Sequence, residues 1–218
     1  MIVAIDGGVA TGKSAVGRRV AERLGLPFVD SGLMYRAVAH VALEQEIPLG
    51  DGAALTELAS RLRIRVDGSR VWVDGEEVTD RVYEPRISEV VSRVAKVAGV
   101  RLALVAEQRK LARHGVVMAG RDIGTVVFPD SRYKFFLVAS VEERVRRRAA
   151  QMAARGEPVD PAKMGIEVEE RDRLDSQRTV APLRPAEDAV VIDTDHLELD
   201  QVVDQVVEHI RSADSAPK

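Results

Sequence analysis

The sequence predicts an α/β fold with three layers, in which a central parallel sheet of about five strands is flanked by helices. Short apolar runs, which are typical of buried parallel strands, alternate along the chain with stretches whose apolar residues recur at helical spacing. The first junction between such a run and a helix carries the glycine-rich stretch GGVATGKS at residues 7–14. Two segments interrupt this alternation of strands and helices: a β-hairpin insertion and an arginine-rich helical arm.

The composition sets outer bounds on size and partners. The chain has 218 residues, of which 45% are hydrophobic and 31% charged, so it can bury a sizeable core and we expect one domain with an insertion. A net charge of -3 gives no overall preference for nucleic acid or anionic membranes, and we expect neither as a partner. The absence of cysteine excludes disulfides, thiolate metal sites and cysteine nucleophiles. The chain starts with a strand in place of a secretory signal, which predicts a cytoplasmic protein.

Residues 7–14 fit the phosphate-loop pattern of Gly, four residues, Gly, Lys and then Ser or Thr. An apolar run at residues 2–5 precedes them and a helical pattern at residues 15–24 follows, which is the context that the motif requires. Glycines let backbone N–H groups approach an anion, and the helix start at Lys13 adds partial positive charge. Lys13 can reach the outer phosphates and the Ser14 hydroxyl can ligate Mg²⁺. A chance glycine turn explains this context less well, so we predict a fold of the P-loop NTPase type.

A second strand at residues 26–29 ends in Asp30 and Ser31, either of which can cap the helix that follows. Tyr35 and Arg36 lie in the first turns of that helix. A cation is poorly placed near a helix N-terminus, so Arg36 is a candidate for binding an anion together with the helix end. A solvated surface arginine is the alternative, but this strand should end at the same edge of the sheet as the phosphate loop.

The next segment predicts a helix at residues 51–63 and then a β-hairpin at residues 64–73, with turns at residues 67–68 and 74–75. The hairpin breaks the strand-and-helix alternation, so we expect an insertion outside the central sheet. Trp72 is expected to pack against its neighbours, because lone aromatic residues in strands usually do.

Two helices are predicted between residues 87 and 114, with a break near Gly99. A buried parallel strand at residues 116–119 follows and ends in Gly120, Arg121 and Asp122. An aspartate just past a buried strand is a candidate for the second Mg²⁺ position, although a turn or an ion pair would also account for Asp122. Another buried strand is predicted at residues 133–138, before a cap at Ser140.

The arm that follows is rich in arginine. A helix from Ser140 to about Arg155, a connection with Gly and Pro, and a second helix at residues 167–178 can form a mobile lid over polyphosphate. Arginine suits this task because its planar fork binds phosphate oxygens bidentately. A nucleic-acid patch is the alternative, but interleaved acids leave no face of one sign. The arginines concerned are Arg144, Arg146, Arg147, Arg148, Arg155, Arg171, Arg173 and Arg178.

The chain closes with a predicted strand at residues 189–192 and an amphipathic helix at residues 199–210. Residues 212–218 are expected to be disordered, as chain ends often are.

Assembled in this order, the residues resemble the bacterial cytidylate kinases, the CMP and dCMP kinases of the nucleoside monophosphate kinase group. The resemblance covers residues 2–210, and its most specific motifs are DSGLMYR at residues 30–36, GRDIGTVVFPD at residues 120–130 and ERDRLDSQRTVAPL at residues 170–183. The hairpin insertion also matches the family. Many relatives begin the phosphate loop with a Gly-Pro-Ser-Gly type of sequence; this chain departs from that start but keeps Gly12, Lys13 and Ser14.

The resemblance implies a single kinase domain over residues 1–218. Its core is expected at about residues 1–30, 115–140 and 180–211, a monophosphate-binding region with the hairpin at about residues 31–114, and the lid at about residues 141–179.

The resemblance also implies roles for single residues. Catalytic roles fall on Lys13, Arg121, Asp122 and Arg178. ATP would be bound by Gly7, Gly8, Val9, Ala10, Thr11, Gly12, Lys13, Ser14 and Arg148, with Ser14 as a ligand of Mg²⁺. CMP would be bound by Ser31, Tyr35, Arg36, Ser92, Arg101, Arg121, Asp122, Arg171, Asp175 and Arg178.

Within the acceptor set, the resemblance assigns the phosphate to Arg36, Arg121 and Arg178 and the ribose to Asp175 and Arg171. It assigns the base to Ser92, Arg101 and Asp122, with Ser31 close by. Asp122 therefore has two possible tasks, at the metal and at the base, which remain open at this point.

The implied reaction is in-line, Mg²⁺-dependent phosphoryl transfer from ATP to CMP or dCMP, giving ADP and CDP or dCDP. An acceptor phosphate is already anionic and needs no general base, so catalysis consists of positioning and charge neutralisation. We expect a monomer with these small molecules as its partners. A kinase of the same architecture for UMP, AMP or shikimate remains an alternative. A GTP-binding switch is less favoured, because it usually reads guanine with an Asn-Lys-x-Asp motif and this chain has no asparagine.

Overall fold

The central sheet is parallel and has the order β2-β6-β1-β7-β8 in the computed structural model, which describes residues 1–154, 156 and 159–215. Its strands are β1 Ile2–Gly7, β2 Phe28–Asp30, β6 Val116–Gly120, β7 Tyr133–Val138 and β8 Val190–Asp193. The first strand lies in the middle, paired with β6 from Ile2 opposite Val116 and with β7 on its other side. The carboxyl end of β1 therefore opens at the centre of one sheet edge, which is where α/β proteins bind ligands.

The α-helices of the described residues are α1 Lys13–Leu24, α2 Ser31–Glu44, α3 Gly52–Arg61, α4 Thr79–Val82, α5 Pro85–Val94, α6 Ala98–Leu111, α7 Val141–Ala153, α8 Pro161–Ser176 and α9 Leu199–Ser215. Side chains alternate along β1, so Val3 and Ile5 pack with α1 and α9 on one face of the sheet. Ala4 faces the other side, where Val105 of α6 covers it. Helices on both faces of a parallel sheet confirm the predicted three-layer fold. In the part of the chain that the structure describes, no helix combines the length and apolar character that crossing a membrane requires.

The predicted hairpin is present and gains a third strand. β3 Ile64–Asp67 and β4 Arg70–Val73 pair antiparallel, and β5 Glu76–Glu77 adds to β4 after a turn at Asp74 and Gly75. The inward residues of this small sheet join a separate hydrophobic core with α2, α3, α5 and α6. On the outer face, the ring of Trp72 packs 3.4 Å beneath the guanidinium of Arg65.

The arginine arm consists of two helices as predicted, α7 and α8, and these pack against each other. α8 begins at Pro161 rather than at residue 167, because Asp160 caps it by accepting from the Lys163 amide at 3.1 Å and proline suits a first helical turn. Arg155, which was expected at the end of the first lid helix, lies outside the described residues.

The break predicted near Gly99 is present at residues 95–97, and Gly99 itself lies in the first turn of α6. The glycine serves close packing there, since a Cβ at this position would collide with Thr56 of α3. The prediction for residues 212–215 is wrong: they were expected to be disordered but form the last turn of α9. Arg132 donates to the carbonyl of Ala213 and anchors that turn. Residues 216–218 lie outside the described part of the chain.

Candidate active site

The phosphate loop joins β1 to α1 as its pattern predicts. Gly12, the residue before the helix, has a φ of 88°, a left-handed conformation that favours glycine. Lys13 is buried and donates to the carbonyl of Gly8 at 2.8 Å, so its side chain folds back along the loop. Burial and the neighbouring Arg121 lower the pKa of Lys13 to about 7. An anion in the loop would relieve this destabilised charge.

Ser14 contacts a carboxylate at the end of the neighbouring βα junction. Its hydroxyl donates to Oδ2 of Asp30 at 2.6 Å. The other oxygen of Asp30 accepts from the Gly32 amide at 3.0 Å, so Asp30 rather than Ser31 caps α2. Asp30 thus performs two tasks, and the contact with Ser14 is one that the sequence does not predict.

A hydroxyl beside a carboxylate is an all-oxygen donor pair, which hard divalent cations prefer. Within residues 1–154, 156 and 159–215, no three acidic or imidazole side chains converge as a complete metal site. A Mg²⁺ ion held at Ser14 and Asp30 would therefore take its other ligands from phosphate oxygens and water, as is usual for this ion.

Beyond the loop, several partly buried cations converge. Partial burial, together with the nearby guanidinium groups of Arg121 and Arg36, lowers the pKa of Arg171 to about 9. Burial likewise lowers the pKa of Arg36, whose neighbours include Asp30, Arg121 and Arg148. Like charges crowded in a buried place indicate a site for an anion that is multiply charged.

Asp175 of α8 partly balances this cluster. Its buried carboxylate pairs with Arg121 on one oxygen and with Arg178 on the other. Burial opposes ionisation, but Arg121 and Arg178 hold the pKa of Asp175 below its usual value. The lid helix α8 is thereby tied to the carboxyl end of β6, which carries Arg121.

Arg101 and Asp122 form an ion pair deep in the structure, with side chains that are 4% and 5% exposed. The guanidinium of Arg101 lies over the ring of Tyr35, 5.2 Å from its centroid, and also donates to the carbonyl of Ala95 at 3.1 Å. Burial raises the pKa of Tyr35 to about 12. Asp122 is thus engaged with Arg101, whereas the carboxylate at Ser14 belongs to Asp30.

The remaining predicted acceptor residues lie on α2 and α5. Ser31 is buried and donates to the carbonyl of Ala119 at 2.9 Å, which links α2 to β6. Ser92 is buried on α5, the helix whose end Arg101 contacts. Arg36 donates to the carbonyl of Val82 at 2.8 Å and to the hydroxyl of Ser88 at 3.1 Å.

The lid also contacts the phosphate loop. The Val9 amide donates to Asp172 of α8 at 3.0 Å, and Arg144 of α7 pairs with the same carboxylate. Arg147 donates to Thr194 and lies beside Gly12 of the loop. Arg148, the lid arginine predicted for ATP, instead contacts Glu167 at 3.5 Å.

The residues of the candidate site come from nearly the whole length of the chain, and the family match covers a similar range. The cytidylate kinase family model matches residues 3–212. The chain belongs to the cytidylate kinase family. The recognition made from the three sequence motifs is confirmed.

Curated members of the family are close in sequence. The chain is 49% identical over 209 residues to the cytidylate kinase of Desulforamulus reducens, with 94% of each chain covered. It is 47% identical to the cytidylate kinase of Geobacillus sp., again with 94% of each covered. A bifunctional pantoate ligase/cytidylate kinase of Synechococcus sp. is 47% identical over 94% of this chain, which spans only 40% of that longer protein.

Solved structures share the fold at low sequence identity. A gluconokinase from Sinorhizobium meliloti superposes with a TM-score of 0.52 at 16% identity, covering 97% of this chain and 92% of the other. An uncharacterized protein from Eubacterium ventriosum gives a TM-score of 0.53 at 13% identity, covering 97% and 98%. These likenesses extend to the fold and no further.

Asp30 contacts Ser14 and Asp172 contacts Val9 although neither contact was predicted, and Asp6 accepts from the turn directly after Asp122. Asp30 carries a usable signal, because it ends a parallel strand at the edge where the phosphate loop lies. Asp172 carries none, since its partner Val9 is 163 residues away.

Proposed function

We propose that this chain transfers the γ-phosphoryl group of ATP to the 5′-phosphate of CMP or dCMP, giving ADP and CDP or dCDP. Membership of the cytidylate kinase family supports the reaction. The observation that carries the proposal is the cluster of partly buried cations between the phosphate loop and the Arg101–Asp122 pair, in which partial burial and the positive charge of Arg121 and Arg36 lower the pKa of Arg171. Two phosphates meeting there would supply the missing negative charge.

The donor site is proposed at the phosphate loop. Amides of residues 7–14 and the Lys13 ammonium would bind the outer phosphates, with Arg148 of the lid as a further cation. Ser14 and Asp30 would hold Mg²⁺, whose positive charge neutralises phosphate oxygens when it is bound. Their 2.6 Å contact supports this assignment.

The acceptor site is proposed beside it. Arg36, Arg121 and Arg178 would bind the acceptor phosphate, because their guanidinium groups match its oxygens and remain charged. Asp175 and Arg171 would bind the ribose. The ion pair between Asp175 and Arg121 supports a shared site for sugar and phosphate.

We propose that the base lies at the Arg101–Asp122 pair, with Ser92, Ser31 and Tyr35 around it. Asp122 then serves base recognition rather than the metal. Its ion pair with Arg101 and the contact of Ser14 with Asp30 both support this choice.

Chemically, the chain has to position two anions and shield their charge. The acceptor phosphate is its own nucleophile, so no protein group needs to remove a proton. Lys13, whose charged neighbours include Arg121, would neutralise charge on the transferring group together with that arginine. Arg178 would add a third positive charge. The lid formed by α7 and α8 would exclude water, which otherwise competes as acceptor.

We further propose three functional regions, a core, an acceptor region from α2 to α6 and the lid, in one cytoplasmic monomer. The separate hydrophobic core around α2, α3 and the hairpin supports the acceptor region as a unit. Sedimentation of the chain with and without ATP and CMP tests the monomer.

The acceptor site is tested by titrating CMP into the protein in a calorimeter. We expect wild type to bind CMP and Arg121→Ala to bind it at least about tenfold more weakly, because a charge-assisted contact is lost. Arg173→Ala is the matched control, since Arg173 is an exposed arginine of α8 that pairs with Glu170. Equal affinity for CMP in Arg121→Ala and wild type would contradict the proposed site.

A further inference from the structure

Asp6, near the end of β1, uses its carboxylate to hold a neighbouring loop. Its side chain accepts from the Ile123 amide at 2.9 Å and from the Gly124 amide at 2.7 Å, one on each oxygen. The residue is 4% exposed, so neither oxygen is freely available to solvent. The two amides open the π-helical segment Ile123–Val127, whose first N–H groups have no partner within their own helix.

Asp6 of β1 caps the segment Ile123–Val127 because the residue at the N-cap position does not. Asp122 occupies the N-cap position, where an aspartate normally accepts from the first turn, but its side chain makes no such bond. It is engaged with Arg101 instead. Asp6 supplies the missing acceptor and so leaves Asp122 available to Arg101.

The position of Asp6 is costly and therefore informative. A carboxylate buried in this way is destabilised unless its bonds compensate. The charged groups that face Asp6 are Asp122 from the end of β6 and Lys13 from α1. One repels it and the other attracts it, and burial itself raises the pKa of Asp6 to about 7. The two bonds to the amides of Ile123 and Gly124 therefore hold the carboxyl group in an otherwise unfavourable buried position.

We propose that Asp6 is a positioning residue for acceptor binding, which fixes the turn that presents Arg121 and Asp122 by gripping the amides of Ile123 and Gly124. The inference rests on the proposed acceptor roles of Arg121 and Asp122. Asp6 contacts neither substrate in this assignment. It acts through the backbone on the two residues that meet the phosphate and the base.

The test is steady-state kinetics of Asp6→Asn. An amide offers one acceptor oxygen, and its NH₂ group cannot accept from the second backbone N–H, so one of the two hydrogen bonds is lost. We expect the KM for CMP to rise about tenfold while the KM for ATP stays within about twofold, because loss of a charged hydrogen bond at the acceptor turn acts on acceptor binding. Asp51→Asn is the control, since Asp51 also accepts a backbone amide, that of Ala54 at 2.9 Å, at an exposed helix start.

An unchanged KM for CMP would overturn the inference, and so would an equal rise of both KM values, which would indicate a general effect on β1 and the phosphate loop. If Asp6→Asn does not fold, Gly124→Ala decides between the same outcomes. A Cβ there would lie 3.3 Å from Lys134 and 3.4 Å from Oδ2 of Asp6, which weakens the hydrogen bond between Asp6 and the Gly124 amide without changing Asp6 itself.

Arg121→Ala separates this inference from the proposed function. A raised KM for CMP in Arg121→Ala, with none in Asp6→Asn, contradicts only the role of Asp6. Unchanged KM values in both variants contradict the acceptor site itself.

Discussion

The amide of Val9 in the phosphate loop donates a hydrogen bond to the carboxylate of Asp172 on α8, at 3.0 Å. Arg144 of α7 pairs with the same carboxylate and lies close to the carbonyl of Val9, at 3.4 Å. A Cβ at Gly8 would collide with Asp172 at 2.7 Å, so the loop glycine also makes room for this contact. An acid of the lid thus binds at the loop whose amides are proposed to bind the donor phosphates, and it holds α7 and α8 against that loop.

Asp172→Ala should therefore weaken the closed arrangement of the lid. We expect the free energy of unfolding to fall by about 2 kcal/mol, because the largely buried Arg144 loses its partner and the Val9 amide its acceptor. Urea denaturation measures this change. Glu170→Ala is the matched control, since Glu170 forms an exposed pair with Arg173 on the same helix and should cost less than about 0.5 kcal/mol. Equal losses in the two variants would argue against a specific lid contact.

Asp30→Ala should raise the Mg²⁺ concentration needed for half-maximal activity by about tenfold or more, because a carboxylate at a metal position is lost. The variant also loses the cap of α2, which costs about 1 kcal/mol of stability. Asp51→Ala separates the two effects, since Asp51 caps α3 in the same way and lies away from Ser14. A Mg²⁺ requirement that is identical in Asp30→Ala and Asp51→Ala would remove Asp30 from the metal site.

Arg178→Ala should act on the acceptor and on the transfer step. The side chain is 5% exposed and pairs with Asp175, so its removal leaves a buried carboxylate with Arg121 alone. We expect kcat/KM for CMP to fall by about a hundredfold or more with little change in the KM for ATP. Arg173→Ala, on an exposed face of α8, should behave as wild type. Wild-type kinetics in Arg178→Ala would exclude this residue from the site.

Stability should depend on pH through Asp6. The pKa is about 7 in the folded chain against an ordinary 3.8, because burial disfavours the charged form while Lys13 and Asp122 act in opposite directions. The native state then binds more protons between these values, so its stabilisation is complete below pH 3.8 and is lost as the pH rises to about 7. Urea denaturation of wild type and Asp6→Asn across this range should show wild type losing stability relative to the variant. A difference that stays constant with pH would contradict the raised pKa.

Much of the fold follows from local patterns. The phosphate loop is framed by a strand and a helix in the sequence, and the structure begins α1 at Lys13 as the motif requires. The strand predicted at residues 133–138 is observed as Tyr133–Val138, because its consecutive apolar residues are buried on both sides. The break near Gly99 is also predicted correctly, although the glycine itself lies in the first turn of α6, where it leaves room for Thr56 of a neighbouring helix.

The site is less accessible to such reasoning, because its contacts join distant parts of the chain. Position at a strand end marks Asp30 and Asp122 alike as candidates for a metal. Only the packing shows that Ser14 meets Asp30 and that Asp122 meets Arg101. The contact of Val9 with Asp172 depends on how the lid closes, which no local pattern encodes.

The role of Lys13 is tested by Lys13→Ala. We expect transfer to fall by at least about a thousandfold at every substrate concentration, because the charge that stabilises the transferring group is lost. Lys163→Ala is the control, since that lysine is exposed at the start of α8. Substantial turnover by Lys13→Ala at saturating ATP would contradict the donor site.

The most direct measurement is ADP release by the wild-type chain, followed with ATP and one acceptor at a time. CMP, dCMP, UMP, AMP and shikimate form the panel, with Lys13→Ala as the blank for background hydrolysis. We predict rapid turnover with CMP and dCMP and a far lower kcat/KM for AMP and shikimate. Turnover with AMP or shikimate but not with CMP would contradict the account.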